Sequence, residues 1–185
     1  MSFPKTFEEL GLSADTLAAL QQKGFTEPSP IQAQTIPLLL AGDTDVVGQA
    51  QTGTGKTAAF GLPLIERITT IADTPQAIIL APTRELAIQV AEEINTFQTK
   101  RKLRITAIYG GQSIVEQIRQ LRRGIDIVVG TPGRILDHLE RKTINLSNVK
   151  FVVLDEADEM LNMGFVEDIE TILEHVPDER RMLLF

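Results

Sequence analysis

A glycine-rich run contains the residue types needed to hold phosphate groups. It reads Ala50-Gln51-Thr52-Gly53-Thr54-Gly55-Lys56-Thr57 and lies between an apolar segment and a predicted helix. Glycines let backbone N–H groups turn toward an anion, and the N-terminus of the following helix adds partial positive charge. The Lys56 ammonium can reach the β- and γ-phosphates of a nucleotide, and the Thr57 hydroxyl can bind Mg²⁺. The alternative is a glycine-rich turn that binds nothing, and Ala50 replaces the first glycine of the strict pattern.

An acidic run follows a later apolar segment and offers the complementary chemistry. Asp155-Glu156-Ala157-Asp158 comes directly after Phe151–Leu154, a predicted strand. A carboxylate at a strand end that faces a phosphate loop supplies a second ligand for Mg²⁺, and Glu156 can orient or deprotonate an attacking water. The alternative is a set of acidic residues favoured by a helix dipole. We predict that Lys56, Asp155 and Glu156 are catalytic and that Thr57 and Asp155 bind the metal.

The overall composition excludes several classes of protein. The chain has 185 residues, 43% of them hydrophobic, which is enough for one domain with a buried core. It has no cysteine, which excludes disulfides and thiolate metal sites. Its two histidines, His138 and His175, are far apart and are interpreted as ordinary helix residues rather than zinc ligands. No apolar run approaches the roughly 20 residues of a membrane helix. Without a signal peptide, we expect a cytoplasmic protein with no membrane partner.

The two runs must be positioned by the elements around them. Short apolar segments alternate with helical stretches, a pattern typical of a parallel sheet with helices on both faces. We predict an α/β fold whose strands are buried on both faces and whose ligands bind at the carboxyl ends of the strands. The predicted strands are Asp45–Gln49, Ala77–Ala81, Ile105–Tyr109, Ile125–Gly130, Phe151–Leu154 and Met182–Phe185. The predicted helices are Lys56–Ile68, Arg84–Phe97, Ser113–Arg122, Gly133–Glu140 and Glu167–His175.

The two ends of the chain differ from this alternating pattern. Near the start, Ser13 is placed to cap a helix that runs to about Lys23, and Ser29-Pro30 is typical of a second helix start. We therefore expect an N-terminal helical segment over residues 1–32 and an α/β domain over 33–185. The final run would be a core strand, where a natural terminus is uncommon, so we expect a fragment of a longer protein.

Taken in order, the motifs resemble the DEAD-box ATP-dependent RNA helicases, in a style close to the bacterial cold-shock type. The resemblance covers essentially the whole chain, and Asp155–Asp158 spells the family name. The matching segments are an upstream aromatic at Phe7, a Q motif at Gly24–Gln32, motif I at Ala50–Thr57, motif Ia at Pro82–Gln89, the glycine pair Gly110-Gly111 and motif Ib at Thr131–Arg134.

The resemblance implies a RecA-like P-loop domain that binds ATP with Mg²⁺. In this family the amide of Gln32 reads adenine, which requires both a donor and an acceptor, as adenine's N6/N7 edge does. Phe25 is implied to stack on the base, with backbone contacts near Thr26. Without the resemblance, Gln32 would be interpreted as an exposed polar residue and Phe25 as a core aromatic. The implied nucleotide-binding residues are Phe25, Thr26, Gln32 and Ala50–Thr57.

The resemblance also implies binding of an RNA backbone without sequence specificity, because the matching groups face sugar and phosphate. The chain has 18 basic and 25 acidic residues and a net charge of −7, which argues against a broadly basic binding surface. A few directed contacts to the RNA backbone are compatible with this charge. The implied RNA-binding residues are Pro82, Thr83, Arg84, Gly110, Gly111, Thr131, Pro132, Gly133 and Arg134.

The family pattern continues beyond this sequence, with a Ser-Ala-Thr motif and a second RecA-like domain whose arginines reach the γ-phosphate. Such arginines contribute about 10³–10⁵ in rate to related chemistry. We therefore expect the parent protein to unwind RNA, and this chain to bind nucleotide weakly with little ATPase activity. Asp158 is expected to be left without the partner that the missing motif supplies in the family. The alternatives are a different P-loop ATPase such as a transporter or kinase subunit, a non-catalytic nucleic-acid-binding module, and a DNA substrate.

Overall fold

The computed structural model describes residues 3–68, 73–98, 100 and 102–185. Across these residues, six parallel strands form one sheet in the order β1-β6-β5-β2-β4-β3. The strands are β1 (Val46–Val47), β2 (Ala77–Leu80), β3 (Ile105–Ile108), β4 (Ile127–Gly130), β5 (Phe151–Leu154) and β6 (Arg181–Leu184). The helices are α1 (Ala14–Gln22), α2 (Pro30–Ala41), α3 (Lys56–Arg67), α4 (Arg84–Thr96), α5 (Ile114–Arg122), α6 (Pro132–Glu140), α7 (Ala157–Asn162) and α8 (Val166–Leu173), with a short 3₁₀ helix at Glu8–Leu10.

The predicted α/β architecture is confirmed, since each face of the sheet buries its own apolar cluster. Alternate residues of β2 point to opposite faces, so Ile79 packs into the cluster that contains Phe60, whereas Ile78 packs into the one that contains Ile172. Residues of the N-terminal helical segment, including Leu20, join the first cluster. Within the described residues, no helix is both long and apolar enough to cross a membrane.

The carboxyl ends of the six strands are in register. Cα pairing joins Val47 to Leu184, Leu184 to Leu154, and Leu154 to Leu80. The same row continues from Leu80 to Gly130 and from Gly130 to Ile108. At about 4.8 Å between neighbouring strands, this edge is about 24 Å long. The residues that follow the strands therefore form one line, as expected for a parallel sheet.

Two strands are less buried than the sequence predicts. The segments at Asp45–Gln49 and Ile105–Tyr109 were expected to form buried strands, but Val47 is 78% exposed and residues 105–107 are half-buried. The reason is the strand order, because β1 and β3 lie at the two edges of the sheet and each pairs with one neighbour only. β1 also contains only Val46 and Val47, although Gly48 N still donates to Leu184 O at 2.7 Å.

Most other boundaries lie within two residues of their predicted positions, and the helix starts have the expected caps. The Ser13 hydroxyl accepts a hydrogen bond from Thr16 N at 3.4 Å, and Pro30 occupies the first turn of α2. The Thr83 hydroxyl accepts one from Leu86 N at 3.2 Å. These bonds satisfy backbone donors that a helix start leaves without partners.

The carboxyl end of α2 is held by two arginines from other elements. Arg181 of β6 is 4% exposed, and its guanidinium donates to Leu39 O at 2.9 Å and to Leu38 O at 3.1 Å. Arg67 of α3 also donates to Leu39 O, at 3.4 Å. Inside the same helix, Pro37 lacks the N–H that would continue the hydrogen-bond ladder. α2 is therefore held at its carboxyl end by side chains and lacks one backbone hydrogen bond at Pro37.

Candidate functional site

A cleft of about 660 Å³ lies at the carboxyl ends of β1 and β5. It brings together residues that the sequence predicts to bind one nucleotide, although they are separated by up to 131 positions in the chain (residues 25 and 156). Of the predicted set, Thr26, Ala50 and Gln51 are absent from the lining. The lining residues are Phe25, Glu27, Pro28, Ser29, Gln32, Thr52, Gly53, Thr54, Gly55, Lys56, Thr57, Leu86, Gln89, Glu93, Asp155 and Glu156.

The phosphate loop owes its shape to two glycines. Gly53 and Gly55 have φ angles of +83° and +84°, a left-handed backbone that favours glycine. Gly55 is also required by space, because a Cβ there would lie within van der Waals overlap of the Gln32 amide nitrogen. The Thr54 hydroxyl closes the loop by donating to Gln51 O at 2.6 Å. This turn leads directly into the N-terminus of α3, which begins at Lys56.

Gln32 joins the start of α2 to the phosphate loop. Its Nε2 donates to Gly55 O at 3.1 Å, and its Oε1 accepts from Ser29 N at 3.0 Å. Gln32 is 3% exposed, so its interpretation as an exposed polar residue is wrong. An amide has two N–H groups and two oxygen lone pairs, so one donor and one acceptor position are still open. These open positions fit a ligand edge that both donates and accepts.

Phe25 lies at the boundary between the core and the cleft. Its ring makes edge-to-face contacts with Phe7 and Phe97, each with 6.1 Å between ring centroids. Phe25 is half-buried and also lines the cleft. The two interpretations of this residue are therefore compatible, because one ring can pack on core aromatics and border a ligand. Thr26 lies beside Phe7 in a neighbouring cavity.

Asp155 is a buried carboxyl in the floor of the cleft. It follows β5, is 3% exposed, and its N–H donates to Leu80 O at 2.9 Å. Burial raises the pKa of Asp155 to about 6, and the nearby Glu156 charge acts in the same direction, whereas Lys56 opposes the shift. A buried oxygen ligand whose charge is disfavoured fits a hard divalent cation, which would compensate that charge. The Thr57 hydroxyl lines the same cleft.

The two acidic residues after Asp155 have different environments. Glu156 has φ +54° and ψ +52°, an uncommon left-handed conformation for a residue with a side chain. It is followed by Ala157, whose N–H donates to Phe185 O at 3.0 Å. Asp158 is exposed, and its carboxylate accepts from Glu159 N at 3.0 Å. This local backbone bond is separate from the partner that the resemblance implies for Asp158, so the expectation about that partner stays a prediction.

The predicted RNA-binding residues lie on the other half of the same edge. They follow β2, β3 and β4, the three strands farthest from the phosphate loop. Their exposure divides them into groups. Pro82 and Pro132 are buried and shape the turns rather than present a surface, whereas Thr131 and Arg134 are half-buried. The exposed members are Thr83, Arg84, Gly110, Gly111 and Gly133.

The two arginines of this set have different roles. The Arg134 side chain is 14% exposed, and it donates to Tyr109 O at 3.2 Å, to Gln112 O at 3.0 Å and to Asp137 at 3.2 Å. It therefore holds the loop after β3, and its predicted contact with RNA stays a prediction. Arg84 is exposed and lies over the Tyr109 ring, 5.3 Å from the centroid. Its charge is the more accessible of the two.

Sequence reasoning missed a buried polar pair beneath this loop. His138 and Gln117 are both fully buried, with 3.0 Å between His138 Nε2 and Gln117 Oε1. His138 is therefore not an ordinary helix residue. A signal was available, because His138 is three positions after Ile135 and Gln117 is four before Leu121, on the inward faces of their helices. A polar residue at such a position has to find a buried partner.

Comparisons with known proteins agree with the motifs. The sequence profile described as DEAD/DEAH box helicase matches residues 29–185. Proteins named DEAD-box ATP-dependent RNA helicase CshA are 58% identical over 180 residues in Geobacillus kaustophilus and in Bacillus subtilis. A crystal structure of a DEAD box protein from the hyperthermophile Methanococcus jannaschii matches all of this chain with a TM-score of 0.92 and 51% identity.

The matches also show how much of each relative the chain represents. It is covered to 97% by the two helicases, but it spans only 38% of the Geobacillus protein and 36% of the Bacillus protein. It spans 50% of the Methanococcus jannaschii chain. The relatives therefore contain a further region at least as long as the part that matches.

Proposed function

The chain belongs to the DEAD/DEAH box helicase family, and from this membership we propose that it is the ATP-binding part of an RNA helicase. In the parent protein, ATP binding and hydrolysis would be coupled to local separation of RNA strands. The observation that carries the proposal is the single cleft in which Gln32, the phosphate loop, Lys56 and Asp155 meet. The division at residue 32 and the cytoplasmic location stay predictions.

The nucleotide would be oriented by contacts at its two ends. At the base, the open donor and acceptor of the Gln32 amide would pair with adenine, while Phe25 borders the ring and Thr26 contributes backbone contacts. Guanine presents an acceptor where adenine has a donor, so the pairing favours ATP over GTP. At the phosphates, the backbone N–H groups of residues 50–55 and the ammonium of Lys56 would compensate the negative charge.

Thr57 and Asp155 would hold Mg²⁺, which when bound would neutralise phosphate charge. Glu156 lines the cleft next to Asp155 and would orient or deprotonate the attacking water. Exclusion of water and placement of the γ-phosphate would also require the second RecA-like domain that the resemblance implies, with its arginines. We therefore expect the chain alone to bind nucleotide weakly, with little ATPase activity.

RNA would bind along the β2, β4 and β3 ends through backbone groups. Thr83, Gly110, Gly111 and Gly133 are exposed there and offer hydroxyl and N–H donors, and Arg84 adds one accessible charge. Contacts of this kind go to phosphate and sugar, so they give affinity without sequence preference. Thr131 and Arg134 would act from partly buried positions, and the buried Pro82 and Pro132 would act through the turns that they shape.

The test is a titration of the chain with ATP, ADP and GTP, in which binding is monitored by the fluorescence of a labelled nucleotide. We expect binding of ATP and ADP in preference to GTP. Gln32→Ala should remove the preference, and Lys56→Ala should lower the affinity for all three nucleotides by about tenfold or more, since a charge-assisted hydrogen bond contributes about 1.5–3 kcal/mol. Lys150→Ala, which removes an exposed lysine at the opposite end of the sheet, is the matched control and should change nothing.

Two outcomes would contradict the proposal in different ways. Equal binding of GTP by the unchanged chain would leave a general P-loop protein without an adenine reader. Unchanged affinity in Lys56→Ala would mean that the cleft does not bind phosphates as described.

A further inference from the structure

A buried hydrogen-bond relay leads from α6 to the loop that contains the glycine pair. Thr143 Oγ1 lies 2.8 Å from His138 Nδ1, and His138 Nε2 lies 3.0 Å from Gln117 Oε1. The Nε2 of Gln117 then donates to Tyr109 O and to Gln112 Oε1, both at 2.9 Å. The relay therefore connects three separate elements and ends on the two residues that flank Gly110-Gly111.

The position of the His138 ring proton follows from the last member of the relay. Both N–H groups of the Gln117 amide are used at the loop, so the Gln117 oxygen can only accept, and the proton of the His138 ring must be on Nε2. Burial lowers the pKa of His138, and the charges of Arg134 and Arg141 act in the same direction against Asp137. The ring is therefore neutral near pH 7, and its unprotonated Nδ1 lies 2.8 Å from Thr143 Oγ1, whose single hydrogen is shared between Nδ1 and His138 O at 3.1 Å.

The relay restrains a loop that would otherwise have little support. Tyr109 O accepts from Gln117 and from Arg134, and Gln112 is held by its side chain as well as its backbone. Between these two anchors, Gly110 and Gly111 are exposed, and a Cβ at Gly110 would meet no heavy atom within 4 Å. At Gly111, a Cβ would meet only the exposed Arg84 side chain, at 3.4 Å. Packing therefore contributes little to the order of the pair, and their arrangement depends on the hydrogen bonds at either side.

We propose that His138 and Gln117 are positioning residues that hold the N–H groups of Gly110 and Gly111 in one arrangement for an RNA phosphate. This inference rests on the proposed RNA-binding function of the same loop. Ordering the loop before binding removes part of the entropy loss that a flexible glycine pair would suffer when it binds. A purely structural pair would stabilise the fold without changing the glycines.

The test compares two variants of His138 by NMR of the ¹⁵N-labelled chain. His138→Gln keeps a donor within reach of Gln117, whereas His138→Leu replaces the ring with an apolar group that cannot donate. We expect the Gly110 and Gly111 amide signals to keep their positions in the first variant, and to move or broaden in the second. Short single-stranded RNA should shift these signals in the unchanged chain and should bind about fivefold more weakly to the Leu variant.

Other measurements separate positioning from stability. The affinity for ADP should stay within about twofold in both variants, because the cleft is on the other half of the sheet edge. His175→Leu changes the exposed second histidine and should leave the loop signals unchanged. In the unchanged chain, the His138 ring should show a neutral Nε2–H form near pH 7.

Unchanged glycine signals in folded His138→Leu would overturn the positioning role, as would an Nδ1–H or doubly protonated ring. Failure of RNA to shift the loop in the unchanged chain would instead overturn the proposed RNA contact, whatever the variants do.

Discussion

The β1-β6-β5 half of the sheet edge and the β2-β4-β3 half both contain buried polar groups, but they differ in whether those groups have partners within the protein. At the first half, burial raises the pKa of Asp155, and Glu156 adopts a backbone conformation that side chains rarely adopt. At the second half, the buried polar groups of Gln117, His138 and Arg134 are hydrogen-bonded to partners within the protein. The first half therefore holds local destabilisation that a bound cation would relieve, whereas the second is already arranged.

This difference predicts opposite effects of mutation on the stability of the chain at the two halves. A substitution that removes the disfavoured charge at the first half should stabilise the chain even as it removes function, a trade-off common at sites built for ligands. A substitution of one of the buried polar residues of the second half should destabilise the chain, because it leaves a buried group without a partner.

The largest effect is expected at Asp155. Asp155→Asn removes the buried charge and should raise the free energy of unfolding of the chain without Mg²⁺ at pH 7.5 by up to about 3 kcal/mol, the equivalent of a shift from 3.8 to about 6. For a chain of this size, that corresponds to a rise of about 6–12 °C in Tm. Urea and thermal unfolding in the presence of EDTA would measure the change. If Asp155→Asn is less stable than the unchanged chain, the buried Asp155 charge does not destabilise the fold as described.

The pH dependence of the same variant pair provides the control. Between pH 3.8 and about 6 the folded chain binds more protons at Asp155 than the unfolded chain does. Stability from this group is therefore fully present below the lower value and is lost as the pH rises through the upper one. The stability gain of Asp155→Asn should accordingly be small near pH 4, grow through pH 6 and level off above about pH 7. A difference that does not vary with pH would show that ionisation is not its cause.

An intermediate effect is expected at the two arginines of the second half. Arg134→Ala removes the donors to Tyr109 O and Gln112 O and should destabilise the chain by about 1–3 kcal/mol. Arg84→Ala, at an exposed position, should change stability by less than about 0.5 kcal/mol while weakening RNA binding. Urea unfolding and RNA titration of both variants separate the two roles. Equal destabilisation by the two substitutions would show that Arg134 supports the fold no more than the exposed Arg84 does.

The smallest effect is expected from relief of backbone strain. Glu156 and Lys142 have nearly the same φ angle, +54° and +53°, but only Glu156 lines the cleft. Glu156→Gly and Lys142→Gly should each stabilise the chain by at most about 1 kcal/mol, because the greater freedom of glycine in the unfolded chain offsets part of the gain. Glu156→Gln measures the separate contribution of charge. A clear loss of stability in both glycine variants would show that neither position is strained.

Local patterns predicted the fold class and the members of the cleft well. Lys56 and Thr57 could be found because their chemistry depends on neighbours within a few positions, and Asp155 because it directly follows an apolar run. The exposure of β1 and β3 could not be found in this way, since it depends on strand order. The same holds for the pairing of His138 with Gln117, which lies 21 positions earlier on another helix. The support that Arg134 gives to the loop after β3 could not be found either, because that loop lies more than 20 positions earlier in the chain.

The support of α2 has a mechanical consequence. The helix has 12 residues and is about 18 Å long. Its far end is anchored by Arg181 and Arg67, while its near end presents Gln32 to the phosphate loop. The helix therefore links the phosphate loop at one end to β6 and α3 at the other. A tilt of about 3° over this length would move the N-terminal end by about 1 Å, so a small displacement of Gly55 would carry over to Gln32 and to the base contact proposed for it.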